Sequence, residues 1–331
     1  MTALTDAPSR TPRVRDAETA MHHHRPLIAL TGAMIVLAIV SVVGLLLDGR
    51  ELVGQPIWAK PLKFSLSIAI YAVTLSWVIG LTRGRLRRVA WWAGTISAAA
   101  LVVEMIVIVG AVVAGTTSHF NVATPLATAL WSVMATSIVV VWIATLVVAF
   151  ALFREPMADA ARALAIRAGT ILALIGMALA FLMTSPTAEQ LADFRGIAGA
   201  HSVGVPDGGP GIPVLGWSTV AGDLRIPHFV GMHALQALIL FVMALEWAAA
   251  RVAVLADVRV RFGLVGIATA LATATTAIVT VQALAGESIV EPSAATATAT
   301  SLVWATALAA GAVVISRGAR RRRERSGTTA P

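Results

Sequence analysis

Histidine and acidic side chains that suit cofactor or proton chemistry gather near one end of several apolar segments. His119 follows one such segment, His201 lies in a long polar stretch, and His228 and His233 open a further segment. Imidazole nitrogens bind haem iron and divalent metals, and they exchange protons near neutral pH. Glu104 lies inside an apolar segment, where an ionisable group is costly unless it is paired or neutral. These five residues are the first candidates for chemistry.

Cationic and amide side chains also lie near this end of the apolar segments. Lys60 and Lys63 in the stretch Trp-Ala-Lys-Pro-Leu-Lys-Phe suit either an interfacial anchor or an anion-binding role. The remaining candidates are polar residues that either cap turns and helix ends or join the same site: Asn121, Asp223, Arg225 and Gln236. We predict that these separate parts of the chain meet in one pocket, which a small-molecule ligand can occupy.

The sequence is compatible with three kinds of site. A haem b between two helices would use His119 opposite His228 or His233, with Lys60, Lys63 or Arg225 at the propionates. A divalent metal site for a membrane hydrolase would draw its ligands from His119, His228 and His233, with His201 and Asp223 as further donors. A proton-coupled transporter would line its pathway with Glu104 and Gln236.

The spacing of the last two histidines weakens the metal hypothesis. His228 and His233 are five residues apart, so they project about 140° away from each other on a regular helix. The i,i+4 spacing of the H-E-x-x-H zinc motif is absent from this pair. The zinc hydrolase is therefore the weaker alternative, and the sequence favours a cofactor- or metal-binding membrane protein, with an oxidoreductase that acts at the outer face as one version of it.

Composition excludes the ordinary classes of soluble protein. The chain has 331 residues, of which 58% are hydrophobic and 13% charged, whereas soluble domains are about 45–50% apolar and about 25% charged. It contains no cysteine, which excludes disulfides, thiolate metal sites and thiol nucleophiles. The composition is typical of a chain that lies in a lipid bilayer.

Eight apolar blocks are long enough to cross a membrane core of about 30 Å. They lie at roughly residues 27–47, 64–82, 89–114, 125–153, 168–184, 227–247, 263–285 and 294–316. We predict an all-α, polytopic bundle of eight transmembrane helices. Pro61 and Pro227 precede the second and sixth blocks, and Gly115 and Gly286 follow the third and seventh, which suggests two four-helix halves.

The distribution of basic residues predicts orientation. Twenty of the 25 Lys and Arg residues fall on one side of the eight blocks and five on the other, so we expect both termini in the cytoplasm of a cell with a plasma or inner membrane. Residues 1–26, including His22-His23-His24, form a passive leader, 27–316 the membrane domain, and 317–331 a basic tail. That tail suits anionic lipid, and we expect no nucleic-acid partner.

One outer loop, residues 185–226, is long and rich in Gly and Pro, and we predict that it roofs the pocket.

Five sequence blocks carry a resemblance to other membrane proteins. They are Trp58-x-Lys60-Pro61-x-Lys63-Phe64-x-x-Ser67, Ser118-His119-Phe120-Asn121, Val205-Pro206-Asp207-Gly208-Gly209-Pro210-Gly211, Gly216-Trp217-Ser218 and Gly222-Asp223-Leu224-Arg225-x-Pro227-His228-Phe229-x-Gly231-x-His233-Ala234-x-Gln236. Over residues 27–250 the chain resembles a family of bacterial multi-pass membrane proteins. The resemblance implies a membrane bundle and carries no activity over.

Overall fold

Apolar runs of membrane length form the helices of this chain. In the computed structural model, which describes residues 23–327, eight helices are long and apolar enough to cross a membrane, as expected of a multi-pass membrane protein. They are α1 (Arg25–Leu47), α2 (Ala59–Gly80), α3 (Gly84–Ala114), α4 (Pro125–Phe153), α5 (Ala160–Leu179), α7 (Arg225–Ala249), α8 (Val258–Leu284) and α9 (Ala294–Gly327). A short helix, α6 (Ala188–Ala192), lies between α5 and α7. The predicted all-α bundle is confirmed.

Helix ends differ from the predicted ones where charged residues occupy a first turn. Helix α2 begins at Ala59, so Lys60 and Lys63 lie within the helix. Pro61 fits there because the first turn of a helix has no partner for its missing N–H. Helix α5 begins at Ala160, and Arg167 therefore lies two turns inside it, with Nη2 donating to the Glu155 carbonyl at 2.9 Å.

The leader ends in a structural residue. His24 is 1% exposed, its Nδ1 accepts from the Leu27 N–H at 3.3 Å, and its own N–H donates to Ser76 Oγ at 2.9 Å. The prediction of a passive leader is wrong at this residue, because His24 is the N-cap of α1 and ties it to α2. His22 lies outside the described residues.

The helices form two groups of four with the same neighbour pattern. In the first group α1 packs on α2 and α3, α2 on α3, and α3 on α4; in the second, α5 packs on α7 and α8, α7 on α8, and α8 on α9. Gly115 and Gly286 end α3 and α8 at φ +67° and +74°, a conformation that glycine adopts without strain. This arrangement agrees with two four-helix halves.

Four connections lie at one end of the bundle, which we call the long-loop face: residues 48–58, 115–124, 184–224 and 285–293. Short strand pairings order two of these connections, 48–58 and 184–224. Strands β1 (Glu51–Leu52) and β2 (Gln55–Pro56) form one hairpin, and β3 (Ser202–Val203) pairs with β4 (Gly222–Asp223). Asn121 forms a β-bridge with Ile197, so its backbone joins two of the connections.

Candidate functional site

A cavity of about 2120 Å³ lies at the long-loop face, between α2, α3, α4 and α7 and beneath residues 184–224. It brings together nine of the eleven predicted site residues: Lys60, Lys63, Glu104, His119, His201, Arg225, His228, His233 and Gln236. Asn121 and Asp223 are not among its lining residues. Side chains from distant parts of the sequence therefore share one chamber.

Glu104 and His119 meet because the loop after α3 folds back onto the bundle. His119 Nε2 is 3.6 Å from Glu104 Oε1, and Glu104 is 1% exposed. Neither carboxyl oxygen of Glu104 has a hydrogen-bond partner. The His119 ring packs against Phe64 and Trp131, each at 5.4 Å between ring centroids. Burial, then the charges of Lys60 and His201, lower the pKa of His119 well below its ordinary value, which keeps the ring neutral.

A second imidazole–carboxylate pair lies in the roof of the cavity. His201 Nδ1 is 2.9 Å from Asp207 Oδ2, and Asp207 also accepts the backbone N–H groups of His201 and Ser202 at 2.8 to 3.1 Å. Burial raises the pKa of Asp207, but the hydrogen bonds and charge of His201 outweigh it and hold that pKa below its ordinary value. Sequence reasoning missed Asp207; its signal was an acid in a Gly/Pro-rich turn six residues after a histidine.

Two of the three cations hold the roof in place. Lys63 Nζ donates to the Leu215 carbonyl at 2.8 Å. Arg225 Nη2 donates to the Gly216 carbonyl and to Asp223 Oδ2 at 2.5 and 2.6 Å. Asp223 is 0% exposed and also accepts the Ser218 N–H at 2.8 Å. Asp223 therefore acts as the anchor of Arg225.

Lys60 is placed differently from the other two cations. Its Nζ lies 5.9 Å from the centre of the Phe64 ring and has no hydrogen-bond acceptor among residues 23–327. It acts electrostatically on Glu104 across the cavity. An ammonium without a hydrogen-bond acceptor is suited to bind an anionic group of a ligand.

Helix α7 contributes three further polar side chains to the cavity. His228 Nδ1 is 2.7 Å from the Gly176 carbonyl on α5. His233 packs on Phe229 at 4.4 Å between ring centroids, and its Nε2 is buried without a partner. Gln236 Nε2 donates to Thr74 Oγ1 at 3.3 Å, whereas its Oε1 is buried and unpartnered.

The three histidines that were predicted as metal ligands do not form a metal site in the described chain. Across residues 23–327 no group of three or more His, Cys, Asp or Glu side chains is placed to hold a metal ion. His228 points to a carbonyl of α5, His119 to Glu104, and His233 to an aromatic ring. The physical reason is that each imidazole has a different neighbour.

Sequence reasoning also missed hydroxyl groups on the cavity wall. Tyr71 lines the cavity, and its hydroxyl lies 2.7 Å from Thr145 Oγ1; Thr74 carries the bond from Gln236. Single hydroxyls within apolar helices give no signal in a sequence, because most of them bond to the carbonyl one turn earlier.

Buried polar atoms without partners concentrate in this cavity. Both Glu104 oxygens, His233 Nε2 and Gln236 Oε1 belong to lining residues, and buried polar groups in folded proteins are otherwise hydrogen-bonded. They are placed to bind the polar groups of a ligand or ordered water. Comparisons of the chain with protein-family profiles, curated proteins and solved structures find no match.

Proposed function

We propose that the cavity binds an amphipathic small molecule of the membrane and exchanges protons with its head group. The carrying observation is the convergence of Glu104, His233 and Gln236, with unpartnered buried atoms, on one largely apolar chamber. Ligand sites have this character, with apolar walls and a few placed polar groups. The chamber also differs from an ordinary helix interface, where such atoms would find partners.

Charge narrows the class of head group. Lys60 offers an ammonium to an acidic group, while both oxygens of the Glu104 carboxyl group lack hydrogen-bond partners. A head group that carries both an anionic group and a donor, such as a hydroxyl or an amine, complements the two residues at once.

Two imidazoles are suited to proton exchange with that head group. Asp207 fixes the ring of His201 through Nδ1, which leaves Nε2 available to the cavity as a proton acceptor. His119 is a neutral ring that adjoins Glu104, so Glu104 is the member of this pair that can take up a proton and pass it on. These contacts support acid–base chemistry at the long-loop face.

Haem b is a second candidate, and His228 favours it. The contact between its Nδ1 and the Gly176 carbonyl is the bond that orients a haem-ligating imidazole and leaves Nε2 for the iron. Haem is itself an amphiphile with two carboxylates, for which Lys60 provides a cation. Transport is the weaker alternative, because the buried core toward the opposite face includes the apolar residues Leu75, Val78 and Val148, which offer no polar lining for a solute.

The orientation and membrane of the protein are part of the proposal. The bias of basic residues, 20 against 5, supports cytoplasmic termini in a plasma or inner membrane, with the cavity at the outer face. The arginines around Arg320–Arg323 would then meet the anionic lipid of the cytoplasmic leaflet.

Purification in a mild detergent tests the proposal. We expect mass spectrometry to find an anionic amphiphile on the wild type and on Glu291→Gln, whose exposed carboxylate lies outside the cavity. Lys60→Gln should retain about tenfold less, the effect of one charge-assisted hydrogen bond. If haem is the ligand, a Soret band appears and His228→Ala removes it. A wild type with neither an amphiphile nor a Soret band overturns the proposal.

A further inference from the structure

The cavity opens sideways between α2 and α7. On these two helices, six apolar residues that line it are each 40% to 65% exposed: Leu66, Ile70 and Val73 on α2, and Phe229, Leu240 and Met243 on α7. In a membrane-spanning bundle, such residues face lipid. The wall of the cavity is thus open to the bilayer along these two helices, which we call the lateral groove.

Loose packing between the two helices accounts for the groove. Helices α2 and α7 are not among the helix pairs that pack closely in the described chain. The hydrogen bond from Gln236 to Thr74, 3.3 Å long, crosses the gap between them. At the long-loop face, the Lys63 bond to the Leu215 carbonyl closes the top. The groove therefore has a polar roof and an apolar side.

The groove and the charged end of the cavity form one continuous surface. Lys60, Phe64, Ser67 and Tyr71 recur at helical spacing along α2, and all line the cavity. Met243 lies 18 residues beyond the start of α7, which places it about 27 Å along that helix. This depth is close to the thickness of a hydrocarbon core of about 30 Å.

We propose that the lateral groove holds a hydrocarbon chain of a bilayer lipid whose anionic head group is bound at Lys60, and that the lipid enters from the bilayer between α2 and α7. This inference rests on the proposed function and specifies its ligand as a long-chain lipid. Charge supports it, because Lys60 lies at the top of the groove and has no acceptor of its own. A soluble ligand would not need an apolar opening toward the membrane.

Photolabelling tests the inference with the full chain. The protein is placed in phosphatidylcholine nanodiscs that contain phosphatidylglycerol with a diazirine in one acyl chain. Ile106 and Ile143 serve as reference positions, since they are 65% and 49% exposed and lie outside the cavity. We expect several-fold more label at Ile70 and Leu240 than at these two, and a loss of that excess in Leu240→Trp. A diazirine fatty acid in a parallel sample distinguishes a carboxylate from a phosphate head group.

The outcomes separate this inference from the proposed function. If both lipids label the groove no more than Ile106 and Ile143, the lateral groove is not a chain-binding site, even when an amphiphile still copurifies and depends on Lys60. If groove labelling is in excess but unchanged in Lys60→Gln, a chain binds without the proposed head-group contact. That result contradicts the inference in its stated form. Excess labelling that falls about tenfold in Lys60→Gln supports both.

Discussion

His119 makes the stability of the protein depend on pH. The buried ring has Glu104, Lys60 and His201 around it, and its pKa is far below the ordinary 6.5. Below pH 6.5 the unfolded chain takes up a proton that the folded chain does not, so stability is present above that pH and falls as pH decreases. We expect the thermal unfolding temperature to drop between pH 7.5 and pH 5. Below pH 6.5, His119 lowers the free energy of unfolding by up to about 1.4 kcal/mol per pH unit.

His119→Gln isolates this contribution. The lowered pKa of His24, which burial also causes, remains in that variant and adds the same trend. The pH dependence should therefore become shallower in His119→Gln without disappearing. An identical slope in wild type and variant would show that His119 is not buried as a neutral ring.

Asp223 should be the most sensitive residue of the roof. It is fully buried and accepts the Arg225 guanidinium and the Ser218 N–H, so its removal leaves a cation and an amide without partners. We expect Asp223→Ala to lower the free energy of unfolding by about 3 kcal/mol and to expose residues 184–224 to protease.

The exposed pair of Asp193 and Arg195 gives the matched control for Asp223. Their side chains are 63% and 83% exposed, and exposed ion pairs contribute about 0–1 kcal/mol. Asp193→Ala should therefore leave the unfolding temperature and the protease pattern almost unchanged. Equal effects of the two substitutions would contradict a structural role for Asp223.

Residue types predicted correctly which side chains share the cavity. They were a poorer guide to the role of each side chain there. An acid or imidazole in an apolar segment is rare enough to mark a site, which is how Glu104 and His233 were found. The partner of each imidazole depends on backbone placement across tens of residues. Asp207 lies in a Gly/Pro-rich turn six residues after His201, but this spacing alone does not predict that the two side chains pair, and the capping role of His24 has no comparable signal.

At the scale of elements, the contact of α5 with α7 positions His228. A Cβ atom on Gly176 would collide with the Met232 amide, and one on Gly231 would lie 2.7 Å from Gly176 Cα. Backbone atoms cannot yield as a flexible side chain does. We expect Gly176→Ala to destabilise the protein by about 3 kcal/mol, at the upper end of overpacking effects, and to weaken haem binding if haem is the ligand.

Gly110→Ala is the control for that helix contact. A Cβ atom there has nothing within 4 Å, and alanine favours a helix over glycine by about 1 kcal/mol. Thermal unfolding should therefore show Gly110→Ala at or above wild type. A loss of stability there comparable with that of Gly176→Ala would mean that close packing of α5 on α7 is not the cause.

The sequence predicted that the eight long helices exist, but it did not predict where α2 and α5 begin. Apolarity alone placed the beginnings of α2 and α5 several residues late, because their first turns carry Lys60 and Arg162. In α5 the charges at this end have partners that are distant in sequence: Arg162 bonds Glu246 on α7 at 2.8 Å, and the N-cap residue Asp159 bonds Arg261 at 2.7 Å. In α2 such a partner exists for Lys63, which donates to the Leu215 carbonyl, but not for Lys60 among residues 23–327. Such pairs are visible only after the helices are packed.

The whole molecule repeats its architecture without repeating its site. Pro61 and Pro227 are each the third residue of their helix, α2 and α7. When the two helices are aligned on these prolines, Lys60 corresponds to Ile226. When α3 and α8 are aligned on Gly115 and Gly286, Glu104 corresponds to Thr275. The second half therefore lacks both charges. It contributes instead the roof and the histidines of α7, so the cavity requires both halves.

The orientation of the whole molecule can be measured directly, because the chain contains no cysteine. Any cysteine that is introduced becomes the sole thiol. Ser185 is exposed at the long-loop face, and Ala158 is exposed in the connection between α4 and α5 at the opposite face. Both lie outside the apolar helices, so a change to cysteine should leave the bundle intact.

Treatment of intact cells with a membrane-impermeant maleimide then reports which face is outside. The excess of basic residues at the face of Ala158 predicts that this face is cytoplasmic. We therefore expect Ser185→Cys to be labelled in intact cells and Ala158→Cys only after permeabilisation. The reverse pattern would place the cavity, its imidazoles and Lys60 at the cytoplasmic surface, and a ligand from the outer leaflet would no longer have access to the lateral groove through Leu66 and Phe229.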